Sequence, residues 1–257
     1  RGHAAAVDAR RSWRGPSRPP AHNPKGRACG VRCPRLTRVP PLTLCHQPPR
    51  TPTMKVLCLH GYSTNSKVLE ANLERTGFTA ALGDGVELVF MDATFPLEGT
   101  AGFKWYDRKE EAGATISSGV EQGVERVKQL VKDEGVEAIL GFSQGGSVAS
   151  LAAALSADPS WPGGKGKFKW AMFLASGHLV DDRYAEKLKE LGAASIPSFH
   201  AYSQADEYYG EAIKTLALFQ AGAIPPETYE HAQGHVVPAG DAEFLAKAAA
   251  FVKKHAA

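Results

Sequence analysis

The chain has 257 residues, of which 43% are hydrophobic and 22% are charged. That is enough for one sizeable core and too little for two typical enzyme domains, so we predict a single globular domain. The formal charge of +3 is unevenly distributed, because residues 1–53 hold 11 of the 30 basic residues and one acid and so carry +10, whereas residues 54–257 carry −7.

Residues 1–53 are a basic leader that contains 10 of the 17 prolines and shows no sustained apolar period. Such a segment cannot bury enough surface to offset its chain entropy, so we predict that it is disordered. Because the chain opens at Arg1 rather than at a methionine, we expect Met54 to be the natural start and the leader to be translated upstream sequence. An organellar transit peptide is the alternative. A nucleic-acid-binding arm is a weaker interpretation, since no folded reader domain accompanies the basic residues, and we predict no nucleic-acid partner.

The positions of the four cysteines indicate which disulfides, metal sites and cellular compartments are compatible with the sequence. Cys29, Cys33 and Cys45 lie in the leader, and Cys58 is the one cysteine of residues 54–257, so a disulfide framework is excluded for the fold. The leader cysteines match no common zinc spacing, so we predict no structural zinc site there. No apolar run reaches the length of a transmembrane helix, and no secretory signal is present. We therefore predict a cytoplasmic protein without a membrane span.

From residue 55 onward, short β-branched runs alternate with longer amphipathic ones, which is typical of a parallel sheet wrapped by helices. The predicted fold is α/β, with a mostly parallel sheet of about six strands and helices on both faces over residues 54–257. The predicted strands, in chain order, are residues 55–60, 86–91, 136–142, 169–176, 198–203 and 228–232. The predicted helices are residues 66–82, 117–134, 145–157, 182–191, 207–221 and 241–255.

Residues 92–115 form the longest segment without a clear structural pattern, and they are rich in aromatic residues. Long loops in compact domains are usually functional or disordered. Phe95, Phe103, Trp105 and Tyr106 are candidates for the wall of an acyl or aryl pocket, and sealing of the loop onto the core is an equally good interpretation.

Residues 138–150, "AILGFSQGGSVAS", place Ser143 between two glycines, after an apolar run and before small helix-forming residues. This pattern is typical of a nucleophile elbow, in which a strand ends in a sharp, strained turn that holds the serine hydroxyl above the sheet. The flanking Gly141 and Gly145 give the clearance that such a turn needs. We predict that Ser143 is a nucleophile rather than a turn serine.

A serine hydroxyl needs a base to accept its proton, and on this type of sheet the histidine comes last in the chain. His235 lies in a glycine-flanked loop after the last predicted strand and is the candidate base. His231 ends that strand and is interpreted as a structural polar residue. His200 lies inside a strand, His255 lies in the terminal helix, and His178 precedes every well-placed acid.

The acid that orients the histidine is predicted to be Asp206, which follows a strand at the same end of the sheet as the serine and the histidine. Glu207 is adjacent but would begin the following helix. Asp181 and Asp182 follow the preceding strand and remain alternatives.

An oxyanion hole needs two N–H donors aimed at the developing negative charge. The residue after the nucleophile, Gln144, supplies one predicted donor. The turn "LCLHGYSTNS" supplies the other, from Tyr62 or, as the weaker alternative, Ser63, because His60 and Gly61 turn the chain there. His60 itself is interpreted as structural.

Five segments together resemble one known family: "LCLHGYSTNS", "DATFPLEG…FKWYD", "ILGFSQGGSVAS", "FHAYSQADEYY" and "GHVVP". They are similar to the FSH family of serine hydrolases with the α/β-hydrolase fold, which includes fungal enzymes and the human ovarian-cancer-associated serine hydrolase. The resemblance covers nearly all of the chain from about Met54 and none of the leader. It implies hydrolysis of carboxylic esters or thioesters without metal or cofactor, with the family's triad falling on Ser143, Asp206 and His235.

The sequence thus predicts a serine esterase or thioesterase that acts on a small-molecule ester or thioester of small to medium acyl groups through an acyl-enzyme. The alternative is a hydrolase-fold ligand-binding protein with a vestigial triad, because fold alone does not fix function. The sequence does not separate ester from thioester substrates, and it leaves the oligomeric state open.

Overall fold

The structure, a computed structural model, describes residues 54–162, 168–178, 181, 183–184 and 196–256. The leader and its three cysteines lie outside these residues, as does most of the helix predicted over residues 182–191. Within the described ranges every helix is too short or too polar to serve as a membrane span.

The centre of the domain is a six-stranded sheet in which every paired neighbour is parallel. Its strands lie within one or two residues of the predicted ones, and the predicted α/β fold is confirmed. They are β1 (Met54–Leu59), β2 (Val86–Met91), β7 (Ala138–Phe142), β8 (Ala171–Leu174), β9 (Ser198–Tyr202) and β10 (Glu227–Glu230).

The strand order across the sheet is β10-β9-β8-β7-β1-β2. Since all six strands run the same way, their carboxyl ends lie along one edge, which is where ligands bind in sheets of this kind. The turns after β1, β7, β9 and β10 therefore project from the same edge.

Six helices with described bounds flank this sheet. They are α1 (Ser66–Arg75), α2 (Phe78–Leu82), α3 (Val120–Glu134), α4 (Gln144–Leu155), α5 (Tyr209–Gln220) and α6 (Ala242–His255). The single helix predicted over residues 66–82 is wrong, because it is divided by Gly77, whose φ of 82° cannot continue a right-handed helix.

Side chains of β1 alternate between two buried clusters, as the period of a strand requires. Leu57 and Leu59 pack in one cluster with α3 and α4 residues such as Val124. Val56 packs in the other cluster with residues of α1 and α6, among them Leu69. Both faces of the sheet are therefore covered by helices.

The segment over residues 92–115 is more regular than predicted. It contains two antiparallel pairs, β3 (Phe95–Pro96) with β4 (Phe103–Lys104), and β5 (Asp107–Glu111) with β6 (Ala114–Ser118). The second hairpin turns through Ala112 and Gly113, both at positive φ. Ala-Gly is a weak turn signal beside the usual Asn-Gly, which is why the pattern was not visible in the sequence.

Candidate active site

Ser143 stands at the turn between β7 and α4, in a conformation that non-glycine residues rarely adopt. Its φ is 52° and its ψ is −124°. Close packing holds the turn in place: a Cβ atom added at Gly145 would overlap the carbonyl oxygens of Leu59 and His60. The strained serine is therefore pressed against the end of β1, which is the arrangement of a nucleophile elbow.

A continuous line of hydrogen bonds joins Ser143 to His235 and Asp206. The Ser143 Oγ lies 2.8 Å from the His235 Nε2, and the His235 Nδ1 lies 2.8 Å from the Asp206 Oδ2. The Asp206 side chain is 1% exposed, whereas that of His235 is 26% exposed. Because a carboxylate only accepts, Nδ1 carries a proton and Nε2 is left to accept from the serine.

Ser203 connects the loops that carry the acid and the base. This serine is completely buried at the end of β9, and its Oγ accepts the N–H groups of Ala205 and Gly234, each at 3.2 Å. Asp206 is held further by the N–H of Tyr208, which donates to the Asp206 Oδ1 at 2.8 Å. The carboxylate and the imidazole thus have backbone supports of their own besides the hydrogen bond between them.

The turn after β1 approaches the elbow directly. A Cβ atom added at Gly61 would stand 3.1 Å from the Cβ of Ser143. The N–H of Ser63 donates to the carbonyl of Phe103 at 2.9 Å and is occupied. The N–H groups of Tyr62 and Gln144 donate to no acceptor among the described residues, so both are available as donors beside the serine.

The segment around Trp105 touches both of these turns. The Gln144 Oε1 accepts the Trp105 N–H at 2.9 Å, and the Gln144 Nε2 donates to the Tyr106 carbonyl at 3.0 Å. The Trp105 indole N–H donates to the His60 carbonyl at 2.7 Å. Through these bonds residues 103–106 connect the turn after β1 to the turn after β7.

The four aromatic residues of the predicted pocket differ in accessibility. Trp105 is fully buried and Tyr106 is 8% exposed, and both belong to the core cluster beneath α3 and α4. Phe103 packs against that cluster and is partly exposed, as is Phe95, which contacts Gly119. A pocket lined by all four stays a prediction, and the two buried rings lie behind the loop surface.

His60 has the structural role that its position suggested. It is completely buried, and its Nε2 accepts the Ala93 N–H at 2.9 Å while its Nδ1 lies 2.7 Å from the Gly61 carbonyl. Burial lowers the pKa of His60, which keeps the ring neutral at physiological pH.

The other histidines that follow the elbow lie away from it or have different partners. His200 is buried within β9 against Phe173. His231 is 7% exposed, and its Nδ1 accepts the Gln233 N–H while its Nε2 has no partner among the described residues. His178 follows β8, where its N–H donates to the Glu211 carboxylate at 3.3 Å and its Nδ1 lies 3.5 Å from the Thr215 hydroxyl, and His255 ends α6.

The alternative acid Asp181 belongs to a different network. Its carboxylate accepts the Ser117 N–H at 2.8 Å and pairs with Arg183. Burial alone would raise the pKa of Asp181, but the hydrogen bonds from Arg183 and Ser117 hold this pKa below its usual range. Glu207 is exposed beside the acid turn, and Asp182 lies outside the described residues.

Sequence reasoning missed three contributors to this site. Gln144 was considered only for its backbone N–H and not for its side chain, and Ser203 and Tyr208 were not singled out. The Tyr208 ring is in edge contact with the His235 ring, with 4.9 Å between centroids. Only the position of Ser203 at the end of a strand, three residues before the candidate acid, could have suggested its role.

Nowhere in the described ranges do three or more His, Cys, Asp or Glu side chains gather as metal ligands would.

A parallel six-stranded sheet covered on both faces, with a strained serine at the strand–helix turn, defines an α/β-hydrolase. The chain belongs to the serine hydrolase (FSH1) family, whose model matches residues 50–246. It is 31% identical over 204 residues to an esterase of Anopheles gambiae, which covers 72% of each chain. It is 28% identical over 218 residues to the esterase OVCA2 of Bos taurus, covering 73% of this chain and 91% of that protein.

Among solved structures, the acyl-protein thioesterase 2 of Zea mays superposes with a TM-score of 0.60 at 17% identity, covering 82% of this chain and 97% of that one. At 17% identity, this similarity is evidence for the fold of the chain alone. The family resemblance and the α/β-hydrolase fold predicted from the sequence are thereby confirmed, and the chain is a serine hydrolase.

Proposed function

We propose that the chain hydrolyses carboxylic esters or thioesters of small to medium acyl groups through a Ser143–His235–Asp206 triad and a covalent acyl-enzyme. The observation that carries the proposal is the unbroken pair of 2.8 Å hydrogen bonds from a buried carboxylate through His235 to a serine held at positive φ. Such a constellation is recognised by its geometry and the roles of its members.

Acylation begins with transfer of the Ser143 hydroxyl proton to the His235 Nε2 as the Oγ attacks the acyl carbonyl carbon. Asp206 stabilises the imidazolium that forms and holds the ring in the required tautomer. The N–H groups of Tyr62 and Gln144 receive the carbonyl oxygen as it becomes negative. His235 then gives its proton to the leaving oxygen or sulfur, and the alcohol or thiol departs.

Deacylation repeats these steps with water as the nucleophile. His235 accepts a proton from the water, whose oxygen attacks the acyl carbon held on Ser143. Collapse of the second tetrahedral intermediate returns the proton to the Ser143 Oγ and releases the carboxylic acid. No other reactant is required, so atoms and protons balance over the two halves of the cycle.

The names of the relatives support ester hydrolysis as the activity. The proteins of Anopheles gambiae and Bos taurus are both called esterases, and the structural neighbour of Zea mays is called an acyl-protein thioesterase. The same nucleophile, base and oxyanion donors serve oxygen and sulfur leaving groups, so we include thioesters in the substrate class.

The test measures hydrolysis of aryl esters and acyl-thioesters of graded acyl length by the full chain and by Ser143→Ala. We expect the variant to lose more than about a thousandfold in kcat and to lose labelling by a fluorophosphonate. Ser150→Ala is the matched control, since this buried serine of the same helix donates only to the Ser147 carbonyl. Equal labelling of wild type and Ser143→Ala contradicts the proposal, and ligand binding without turnover would support the vestigial-triad alternative.

A further inference from the structure

Large apolar side chains are exposed beside the candidate active site. Four such residues are exposed in the described part of the chain, and three of them belong to the loops around Ser143. They are Tyr62, which is 54% exposed, Tyr208 at 47% and Val236 at 40%, and we call these three the apolar rim. Apolar exposure concentrated in the loops of one site marks a binding surface more often than scattered single residues do.

Two members of the rim are fixed next to the base. The Tyr208 backbone N–H is bonded to the Asp206 Oδ1, and its ring packs edge-on against the His235 ring. Val236 directly follows His235 in the same loop. Tyr62 lies on the turn that supplies the proposed oxyanion donor.

The chemistry of acyl transfer indicates which part of a substrate lies near these residues. The carbonyl oxygen of a substrate turns toward the oxyanion donors, whereas the leaving oxygen or sulfur turns toward the atom that protonates it, the His235 Nε2. A group attached to the leaving atom therefore extends past the histidine. Two exposed apolar residues are fixed beside this histidine: Tyr208, whose ring packs against it, and Val236, which follows it in the chain.

We propose that Tyr208 and Val236 bind an apolar group on the leaving side of the substrate, so that the preferred substrates are esters of alkyl or aryl alcohols or the corresponding thioesters. This inference rests on the proposed function, because it uses the roles assigned to Ser143 and His235. It places recognition on exposed residues of the acid and base loops rather than on the aromatic segment at residues 95–106.

The experiment compares two substrate series that differ in which side of the ester is lengthened. One series runs from methyl to hexyl acetate, and the other runs from the methyl ester of acetic acid to that of hexanoic acid. In wild type we expect kcat/KM to rise about two- to fourfold for each methylene of the alcohol that the rim covers. Tyr208→Ala and Val236→Ser flatten this dependence and leave the dependence on acyl length unchanged.

Val68→Ser is the matched control for Val236→Ser. Val68 is 42% exposed on α1, far along the chain from the acid and base loops, and its substitution leaves both dependences unchanged. Val236→Ser alone carries the test if Tyr208→Ala does not fold. The inference is overturned if the Tyr208 and Val236 variants lose rate equally on all substrates and keep the dependence on alcohol length. It is also overturned if these variants flatten the dependence on acyl length instead. Hydrolysis that persists in Ser143→Ala would contradict the proposed function separately.

Discussion

Gln144 and Trp105 lie 39 residues apart in the chain, and the Gln144 Oε1 accepts the Trp105 N–H at 2.9 Å. Because the Trp105 indole N–H is bonded to the His60 carbonyl, one segment is fastened to both turns that carry the proposed oxyanion donors. The side chain of Gln144 therefore ties the turn after β7, through residues 105 and 106, to the turn after β1. Such ties matter for an oxyanion hole, since its donors must be fixed in place before charge develops.

Replacing Gln144 with methionine keeps the length of the side chain and removes both hydrogen bonds to residues 105 and 106. We expect kcat to fall roughly tenfold or more while KM changes less, because a displaced oxyanion donor is lost mainly from the transition state. Affinity for a trifluoromethyl ketone that forms a hemiketal oxyanion should fall in parallel. Gln129→Met, on the surface of α3, is the control, and an unchanged kcat in Gln144→Met would refute the positioning role.

Asp206 and Asp181 are both buried, but only Asp206 contacts a histidine. Asp206→Asn should lower kcat by about a thousandfold or more, because an amide no longer fixes the His235 tautomer. Asp181→Asn should lower the melting temperature by weakening the contacts to Ser117 and Arg183, and keep kcat within a few fold. Steady-state kinetics and thermal unfolding of both variants check this pair of outcomes, and the reverse pattern would make Asp181 the acid.

Glycine at position 145 is required by packing. Gly145→Ala should lower the free energy of unfolding by about 1–3 kcal/mol and abolish activity, because the new methyl group overlaps the carbonyl oxygens of Leu59 and His60. Gly210→Ala, where the added Cβ meets open space in α5, should raise stability by about 0.4–1 kcal/mol. Denaturant unfolding of the two variants measures the contrast, and equal stabilities would mean that the elbow adjusts freely.

His200 makes stability depend on pH. Burial against Phe173 and Phe219 lowers the pKa of His200 to about 3, so the folded protein keeps the ring neutral. An unfolded chain takes up this proton below its ordinary pKa of 6.5, and between pH 6.5 and 3 the unfolded state binds more protons. Stability therefore falls with acidification by up to about 1.4 kcal/mol for each pH unit from this group.

The variant that tests this linkage is His200→Leu, which removes the titrating group and keeps an apolar side chain. Its free energy of unfolding should fall less steeply than that of wild type between pH 6.5 and 4.5. Urea titrations at several pH values measure both slopes. Identical slopes would show that His200 is not the source of the dependence.

The central strands of the sheet were predictable from the sequence because they are short apolar runs. "AMFL" of β8 and "AILGF" of β7 are buried along almost their whole length, and such runs mark strands covered on both faces. The hairpin over residues 107–118 was not predictable in this way. Every residue of β5 is exposed, so its charged sequence carries no period that distinguishes a strand from a loop.

The positions of Ser143, Asp206 and His235 were predictable because each follows a strand of the same parallel sheet. Contacts that depend on side-chain direction were not. The bonds of Gln144 to residues 105 and 106 connect distant segments whose approach no local pattern records. The exposure of Tyr208 beside His235 likewise depends on how the turn before α5 is held.

The hydroxyl of Ser203 accepts N–H groups from Ala205 and Gly234, which lie in the acid and base loops. Because the two loops share this acceptor and are also joined by the Asp206–His235 hydrogen bond, we expect them to open as one unit of local unfolding. The amide protons of Ala205 and Gly234 should then exchange with solvent at closely matched free energies of opening. In this protein, the orientation of the acid and that of the base would be lost together, in a single event.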